Sequence, residues 1–169
     1  MNTHHRKPLM SSRPDHSQLP TLGHGFFWQD LVVGQQFKTF RRTVTEADLV
    51  NFIGVTGMVE AIFIDAGYEH GAMSGRPVPG ALTYAIIEGF ILQSMIQGTG
   101  LAMLELAQTI HAPVKVGDSV WATIEVTEIR PTSKSGRAVV SSLIKVFNQR
   151  EEAVMTYTAK RLLAGRTAA

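Results

Sequence analysis

Residues 80–97 form a mostly apolar stretch that constrains the fold more than any other part of the sequence. Pro79 precedes this stretch and Gly98 and Gly100 follow it, so helix start and stop signals lie at its two ends. The stretch has no internal proline, is too long for an ordinary strand, and falls short of the roughly 20 apolar residues that span a bilayer. It therefore predicts a buried helix about 25 Å long, at about 1.5 Å per residue.

One charged residue, Glu88, interrupts the apolar side of this predicted helix. Its neighbours three and four positions away are aromatic or aliphatic: Tyr84, Ala85, Ile91 and Leu92. A buried carboxylate is costly unless it is paired with a donor or a cation. Two interpretations stay open, a structural glutamate bonded to an arginine or a backbone donor, and a carboxylate that does acid/base or nucleophilic chemistry.

Length and composition fit a single globular domain with an N-terminal tail. The net charge of +2 is too small to indicate a nucleic-acid partner, and the absence of cysteine excludes disulfides and thiolate chemistry. The N-terminus has no apolar signal core, so we expect a cytoplasmic protein without a membrane, metal or cofactor requirement. We predict a flexible arm at residues 1–24 and one domain at residues 25–169. The four histidines of the arm lack zinc-type spacing and indicate a plain tail: His4, His5, His16 and His24.

Alternating and helical patterns along the rest of the chain predict an α+β fold. A first helix is expected at about residues 46–53, where Thr43 with Glu46 and Thr45 with Asp48 form overlapping capping signals and Gly54 and Gly57 supply stops. Strands are expected at residues 35–43, 101–111, 119–130, 137–147 and 152–163. About five antiparallel strands must then wrap around the single long helix to cover it. The free sheet edge predicts a homodimer or a higher homo-oligomer.

Four motifs in the same order resemble those of the MaoC-like dehydratases, the family that includes the (R)-specific enoyl-CoA hydratases. They are the strand-to-helix entry at residues 43–57, the acidic Asp65, the loop at residues 75–80 and the proline–glycine–aspartate turn at residues 112–119. The resemblance extends over about residues 26–163. It implies a hot-dog fold, at least a dimer, and an acyl thioester substrate carried by CoA or by a carrier protein.

The positions that carry acid/base chemistry in that family differ in this chain. Its motif Gly-Asp-x-Asn-Pro-Leu/Ile-His corresponds to residues 57–63, which read Gly-Met-Val-Glu-Ala-Ile-Phe. Met58 therefore replaces the catalytic aspartate and Phe63 replaces the histidine, and neither side chain can transfer a proton. Both are expected instead either to line an apolar substrate pocket or to pack in the core.

A second part of the family site is retained at the start of the long helix. Hydration of a 2-enoyl thioester needs a base for water, an acid for Cα, and N–H donors for the enolate oxygen. The N–H groups of Gly80 and Ala81, preceded by Pro79, are expected to hold the thioester carbonyl. The part of the site that binds the thioester carbonyl is thus predicted to be retained, although the family's proton carriers are missing.

The remaining candidate residues are ionisable side chains near these motifs. Glu60 stands at the family's asparagine position and is expected to act either as a relocated base or as a solvated loop residue. Arg76 is expected to contact CoA phosphates or to pair with Glu60 or Glu88. Other side chains have plainer roles, a helix N-cap for Asp65 and surface positions for His70 and His111.

Three functions follow from these observations. The first is a hydro-lyase that hydrates or dehydrates 2-enoyl or 3-hydroxyacyl thioesters with Glu60 as the leading proton carrier. The second is a hot-dog thioesterase that uses Glu88, and the third is an acyl-thioester binding protein without turnover. A product that has gained one water indicates the first function, free CoA indicates the second, and binding without either product indicates the third.

Overall fold

The computed structural model describes residues 19–69, 73, 75–133 and 136–166. Residues 1–18, which hold most of the predicted arm and three of its histidines, lie outside the described residues, as does His70. The helices are α1 (Glu46–Thr56), α2 (Ala61–Ile64) and α3 (Gly80–Ser94), preceded by a 3-10 turn at Trp28–Asp30. The strands are β1 (Gln36–Lys38), β2 (Arg42–Thr43), β3 (Gly100–Ile110), β4 (Ser119–Pro131), β5 (Arg137–Phe147) and β6 (Ala153–Ala164).

One antiparallel sheet in the order β1-β4-β5-β6-β3 packs against α3, and the short β2 also pairs with β4. Alternation along the long strands turns one face of each toward the helix. On β5 and β6 this face carries Ile144 opposite Tyr157 and Val146 opposite Met155, all nearly inaccessible to solvent. The predicted α+β architecture, a sheet around one long helix, is confirmed.

The long helix α3 begins at Gly80 as predicted but ends at Ser94, three residues before the predicted end. After the helix, the Ile96 N–H donates to the Ile91 carbonyl, and the N–H groups of Thr99 and Gly100 both donate to the Ile96 carbonyl, which forms the turn that follows. Gly98 has a φ of 73°, which reverses the chain into β3. No helix in the described part of the chain combines the length and the apolarity needed to cross a bilayer.

Helix α1 shows which of the two overlapping capping signals operates. The Thr45 side chain accepts from the Asp48 N–H and the Asp48 carboxylate accepts from the Thr45 N–H, so Thr45 is the N-cap. Of the two predicted stops, Gly57 is confirmed, because it has a φ of 70° and adopts the left-handed conformation that ends the helix after Thr56. The stop at Gly54 was wrong, since the helix continues through it.

The strand predicted at residues 35–43 is divided into β1 and β2, which both pair with β4. Between them, Thr39 interrupts the regular ladder. Its N–H donates to the Ala122 carbonyl, and its hydroxyl accepts from the Ala122 N–H at 2.9 Å. The side chain thus satisfies a backbone donor that a continuous strand would have paired.

Strand β3 forms one edge of the sheet, and all of its residues are exposed. Met103, Leu106 and Ile110 lie opposite Arg161, Ala159 and Met155 of β6. Because those partners are buried beneath α3, the three apolar side chains project toward the same face, yet they are 41%, 40% and 53% exposed. The described chain therefore leaves an apolar strip uncovered along its free edge.

Candidate functional site

A pocket of about 300 Å³ opens at the N-terminus of α3. Phe63 from α2, Pro79 and Gly80 at the helix start, and Ile110 at the end of β3 are among its lining residues. A Cβ atom at Gly80 would collide with the Ile110 side chain, so glycine is what allows helix and strand to approach here. The pocket is thus walled by the loop before α3 and by the end of the edge strand.

The first two N–H groups of α3 have no acceptor within the helix, unlike the two that follow them. The N–H groups of Leu82 and Thr83 both bond to the Pro79 carbonyl, at 2.9 and 3.4 Å. Those of Gly80 and Ala81 belong to the first turn, where intrahelical acceptors do not exist. With the positive end of the helix dipole, they can hold an oxygen that carries negative charge.

The Thr83 hydroxyl is a further polar group of this pocket. Thr83 lines the pocket and is 1% exposed, and its Oγ1 has no hydrogen-bond partner among the described residues. A buried hydroxyl without a partner is costly, so a ligand that bonds to it would recover that free energy. The sequence analysis missed Thr83 because a threonine within an apolar helix carries no distinctive signal.

The candidate site residues in and before α2 have different environments. Phe63 lines the pocket, whereas Met58 is 39% exposed and is not among the lining residues. Glu60 is exposed at the N-cap position of α2, where its carbonyl accepts from Phe63 but its side chain makes no capping bond. The carboxylate of Glu60 therefore lies outside the pocket lining in this structure.

His111 follows β3, and its position borders the pocket. Its Nε2 is 2.9 Å from the Thr156 hydroxyl. Because Met155 and Tyr157 face α3, the alternation of β6 turns Thr156 to the opposite face of the sheet. That hydrogen bond directs Nε2 toward Thr156, and His111 is the one residue with an ionisable side chain among the described residues that line the pocket.

Arg76 does not form either of the ion pairs expected for it. Its Nε lies 3.1 Å from both carboxylate oxygens of Glu46, and its Nη2 also bonds to that carboxylate. Pairing with Glu60 or Glu88 was wrong, because the loop before α3 lies beside the start of α1 and Glu88 is two helical turns deeper. The hydrogen bond from Arg76 lowers the pKa of Glu46.

Asp65 is not the helix N-cap that was predicted. It follows the last residue of α2, and its carboxylate accepts from the Gly67 N–H at 2.9 Å. The helical turn expected after Asp65 lies instead before it, as α2. Phe63 of α2 packs, partly buried, against the core.

A buried cluster surrounds Glu88 in the middle of α3. The Tyr157 hydroxyl donates to Glu88 Oε1 at 2.7 Å and the Arg161 Nη2 donates to the same oxygen at 2.5 Å. Relative exposures are 7% for Glu88, 1% for Tyr157 and 5% for Arg161. Burial, and then the charge and hydrogen bond of Glu88, raise the pKa of Tyr157, so the phenol stays a donor. Glu88 is therefore paired with an arginine, as the structural interpretation of this residue predicted.

The Glu88 cluster forms the floor of a second cavity, a groove of about 520 Å³. Its walls are Tyr84, Ala85 and Leu92 from α3 and residues 100–103 at the start of β3. Tyr84 packs edge-on against Tyr157 at 5.3 Å, and burial followed by the Glu88 charge raises the pKa of Tyr84. Since both donors of the cluster reach Oε1, the second oxygen of the carboxylate is left for a ligand or for water.

Arg161 and Tyr157 were not singled out from the sequence, although a signal existed. Both occupy alternate positions of β6 on the face that also carries the buried Ala159 and Leu163. A single cation on an otherwise apolar strand face indicates a buried partner of opposite charge. Among the described residues no group of three or more histidine, aspartate and glutamate side chains is placed to hold a metal ion.

Comparisons with known proteins agree with this geometry. The sequence model of the family described as "FAS1-like, dehydratase domain region" matches residues 31–157. The chain is similar to a 3-hydroxybutyryl-CoA dehydratase of Methylorubrum extorquens, with 24% identity over 111 residues, 66% of this chain and 70% of that protein. It is also similar to an (R)-specific enoyl-CoA hydratase of Rhodospirillum rubrum, with 24% identity over 108 residues, 64% of this chain and 74% of that one.

Among solved structures, a MaoC-like dehydratase from Rhodospirillum rubrum has a TM-score of 0.76 and 26% identity to this chain. The match covers 85% of this chain and 100% of the Rhodospirillum rubrum chain. The sheet wrapped around α3 is thus the hot-dog fold that the motifs implied.

Proposed function

The chain belongs to the family of FAS1-like dehydratase regions, and on that premise we propose that it hydrates 2-enoyl thioesters or dehydrates 3-hydroxyacyl thioesters. The observation that carries the proposal is the pocket at the α3 N-terminus. Gly80, whose N–H group belongs to the first helical turn, and Thr83, whose hydroxyl has no partner among the described residues, both line this apolar pocket, and the N–H group of Ala81 follows directly in the same turn. Related proteins named as a dehydratase and as a hydratase support a thioester on a CoA or carrier-protein arm.

The chemistry assigns a role to each part of this pocket. The thioester carbonyl oxygen would accept from the N–H groups of Gly80 and Ala81, which are better donors to an enolate than to a neutral carbonyl. Phe63 and Ile110 provide apolar contact for the enoyl chain and exclude water from its rear face. Fixed donors that strengthen as charge develops favour the transition state over the bound substrate.

A second function, thioester binding without turnover, is favoured by a separate observation. The positions assigned to proton carriers by the family motif hold Met58 and Phe63, Glu60 lies outside the pocket lining, and His111 bonds to Thr156. Among the described residues of one copy, the pocket at Gly80 thus has no ionisable side chain in its lining except His111, which bonds to Thr156. The two functions differ in turnover and share the same binding site.

We further propose that the protein is a homodimer joined along β3. An exposed edge strand of this length invites pairing with an identical strand, and the uncovered Leu106 and Ile110 would be buried by it. Leu106→Lys should shift the protein to a monomer in size-exclusion light scattering. The control Val55→Lys, at an 84% exposed position on α1, should leave the mass unchanged. A dimeric Leu106→Lys protein would contradict the β3 interface.

Mass spectrometry of product formation tests the proposed activity. The wild-type protein is incubated with 2-enoyl-CoA thioesters of increasing chain length, and each product is weighed. Addition of one water supports a hydratase, whereas free CoA indicates a thioesterase. Thioester binding without either product supports the binding function, and failure to bind refutes the proposed site.

Glu60→Gln and a matched control separate the roles of individual carboxylates in the same assay. If Glu60 is the relocated base, Glu60→Gln abolishes water addition while Glu128→Gln, an exposed change on β4, does not. If water addition persists in Glu60→Gln, the proton carrier lies elsewhere in the molecule.

A further inference from the structure

The Thr83 hydroxyl is buried in the wall of the Gly80 pocket and is not bonded to its own helix. Thr83 is 1% exposed, and its Oγ1 has no hydrogen-bond partner among the described residues. A threonine inside a helix can bond back to the carbonyl three or four residues earlier. The Pro79 carbonyl instead accepts from the backbone N–H groups of Leu82 and Thr83. The hydroxyl is therefore available to a group that enters the pocket.

Thr83 lies on the same side of α3 as the first helical turn. It follows Gly80 by three residues, which corresponds to about 4.5 Å along the helix axis. Because Cα–Cβ bonds in a helix tilt toward its N-terminus, the Thr83 side chain leans back toward the N–H groups of Gly80 and Ala81. Gly80 and Thr83 both line the pocket, so a ligand held at the first turn has the hydroxyl within a few bonds of its bound oxygen.

The rest of the pocket offers few polar side chains. Among the described lining residues, Thr83 and His111 carry the polar side chains, and His111 Nε2 bonds to Thr156. The remaining lining is apolar and includes Phe63 and Ile110. A polar atom on a bound acyl chain loses its water here and needs a partner from the protein. The described pocket thus favours a chain that places its polar atom at Thr83.

We propose, on the basis of the proposed thioester site, that Thr83 determines specificity for acyl thioesters that carry a hydroxyl group on C3. When the carbonyl oxygen accepts from the N–H groups of Gly80 and Ala81, C3 lies two bonds from the carbonyl carbon and its hydroxyl reaches Thr83. Each hydroxyl can donate and accept, so the two satisfy each other. A chain with only hydrogen on C3 leaves the Thr83 hydroxyl without a partner. This selection acts on binding and does not depend on turnover.

A bond from Thr83 to the carbonyl oxygen itself is the competing assignment. That oxygen has two lone pairs, and the N–H groups of Gly80 and Ala81 can occupy both. The two assignments also differ in their consequences. A third donor to the carbonyl would strengthen the binding of every acyl thioester, whereas a partner for the C3 hydroxyl strengthens only the binding of hydroxylated chains.

Equilibrium dialysis tests the assignment with butyryl-CoA and with 3-hydroxybutyryl-CoA of each configuration at C3. Mass spectrometry quantifies every thioester on both sides of the membrane, so that interconversion during dialysis does not affect the dissociation constants. The wild-type protein should bind one configuration of 3-hydroxybutyryl-CoA about ten-fold more tightly than butyryl-CoA, because the hydroxylated chain recovers a buried hydrogen bond.

Three variants isolate the hydroxyl group. Thr83→Val keeps the shape of the side chain and should lose the ten-fold preference while binding butyryl-CoA as the wild type does. Thr83→Ser keeps the hydroxyl and should keep the preference. The matched control is Thr99→Val, since Thr99 is 0% exposed and its Oγ1 also has no described partner, but it lines neither the pocket nor the groove with Glu88. That control should leave the preference unchanged.

Thermal unfolding without a thioester separates recognition from a structural role. The hydroxyls of Thr83 and Thr99 have no partner among the described residues, so neither valine variant should have a lower thermal midpoint than the wild type. A lower midpoint confined to Thr83→Val would assign its hydroxyl a structural bond and overturn the proposal.

The binding outcomes separate the role of Thr83 from the proposed function. Loss of the preference in Thr83→Val, with its retention in Thr83→Ser and Thr99→Val, is the supporting result. Equal binding of butyryl-CoA and both hydroxylated thioesters by the wild type would overturn the role of Thr83 and leave the thioester site standing. A preference that persists in Thr83→Val, or an equal loss of affinity for every thioester, would overturn that role as well. Failure to bind any of the thioesters would refute the proposed site itself.

Discussion

Replacing Arg161 by methionine should destabilise the protein more than almost any other single change outside the core packing. Arg161 and Glu88 are 5% and 7% exposed, so removal of the guanidinium leaves a buried carboxylate with Tyr157 as its remaining donor. Breaking a buried pair from one side costs about 3–5 kcal/mol. That is a large part of the roughly 5–15 kcal/mol by which native domains are stable.

Urea denaturation at a fixed protein concentration measures this effect, because dimer association makes stability concentration-dependent. With an m value of about 1–3 kcal/mol per molar, a loss of about 3–5 kcal/mol lowers the midpoint by about 1–5 M. Lys160→Met is the matched control, since it removes a neighbouring cation of β6 whose partner Glu105 is exposed. That control should cost at most about 1 kcal/mol.

The double variant Glu88→Gln/Arg161→Met separates loss of the pair from exposure of an unpaired charge. It buries no charge and retains an acceptor for Tyr157, so it should be more stable than Arg161→Met. The reasoning would be refuted if Arg161→Met lay within about 0.5 kcal/mol of wild type, or if the two single losses simply added in the double variant.

Three further changes test other parts of the structure. Gly25→Ala should destabilise by about 1–3 kcal/mol, because its Cβ would lie 2.6 Å from backbone atoms after α3, whereas Gly54→Ala should stabilise by about 0.5–1 kcal/mol, having nothing within 4 Å; equal thermal midpoints would contradict both. Tyr157 should ionise only on unfolding, because burial and Glu88 raise its pKa; its contribution to stability is full below about pH 10, where an unfolded tyrosine is protonated, and is lost as the pH rises. Near-ultraviolet absorbance of wild type and Tyr157→Phe checks this, and a phenol that ionises in the folded state would refute it. The Glu46 carboxyl should titrate below its ordinary value of 4.5, since the hydrogen bond from Arg76 lowers its pKa; the stabilisation is present above 4.5 and is lost as the pH falls through the lowered value. NMR titration should show the midpoint rising in Arg76→Met, and an unchanged midpoint would contradict the pairing.

Local signals predicted most of the secondary structure. The α3 start at Gly80 follows from Pro79, and the long strands follow from alternation between turns, which depend on neighbours a few residues away. The errors occurred where long-range contacts compete with local preference. Thr39 divides a predicted strand through its bond to Ala122. At α1 the error was local instead: of the two glycines expected to end the helix, Gly57 ends it, whereas Gly54 lies within it.

The candidate site was predictable only in part. Gly80 and Phe63 were identified from motif positions, and the structure brings both to one pocket. Thr83 was missed, and Arg76 was assigned the wrong partner, because both depend on which side chains the fold places around the start of α3. Distances between elements are not encoded in spacing along the chain.

Sequence alone determined that a long apolar helix must be enclosed by a sheet, and that one carboxylate, Glu88, lies within its apolar side. Periodicity is a property of neighbouring residues, so burial of that carboxylate can be inferred without coordinates. Only the tertiary structure decided its partners, because Tyr157 and Arg161 lie 69 and 73 residues away and reach Glu88 through the register of β6. The tertiary structure likewise decided that the pocket at Gly80 and the groove with Glu88 open at opposite ends of an exposed edge strand. The side chains that line each cavity come together only after the sheet has closed around the helix.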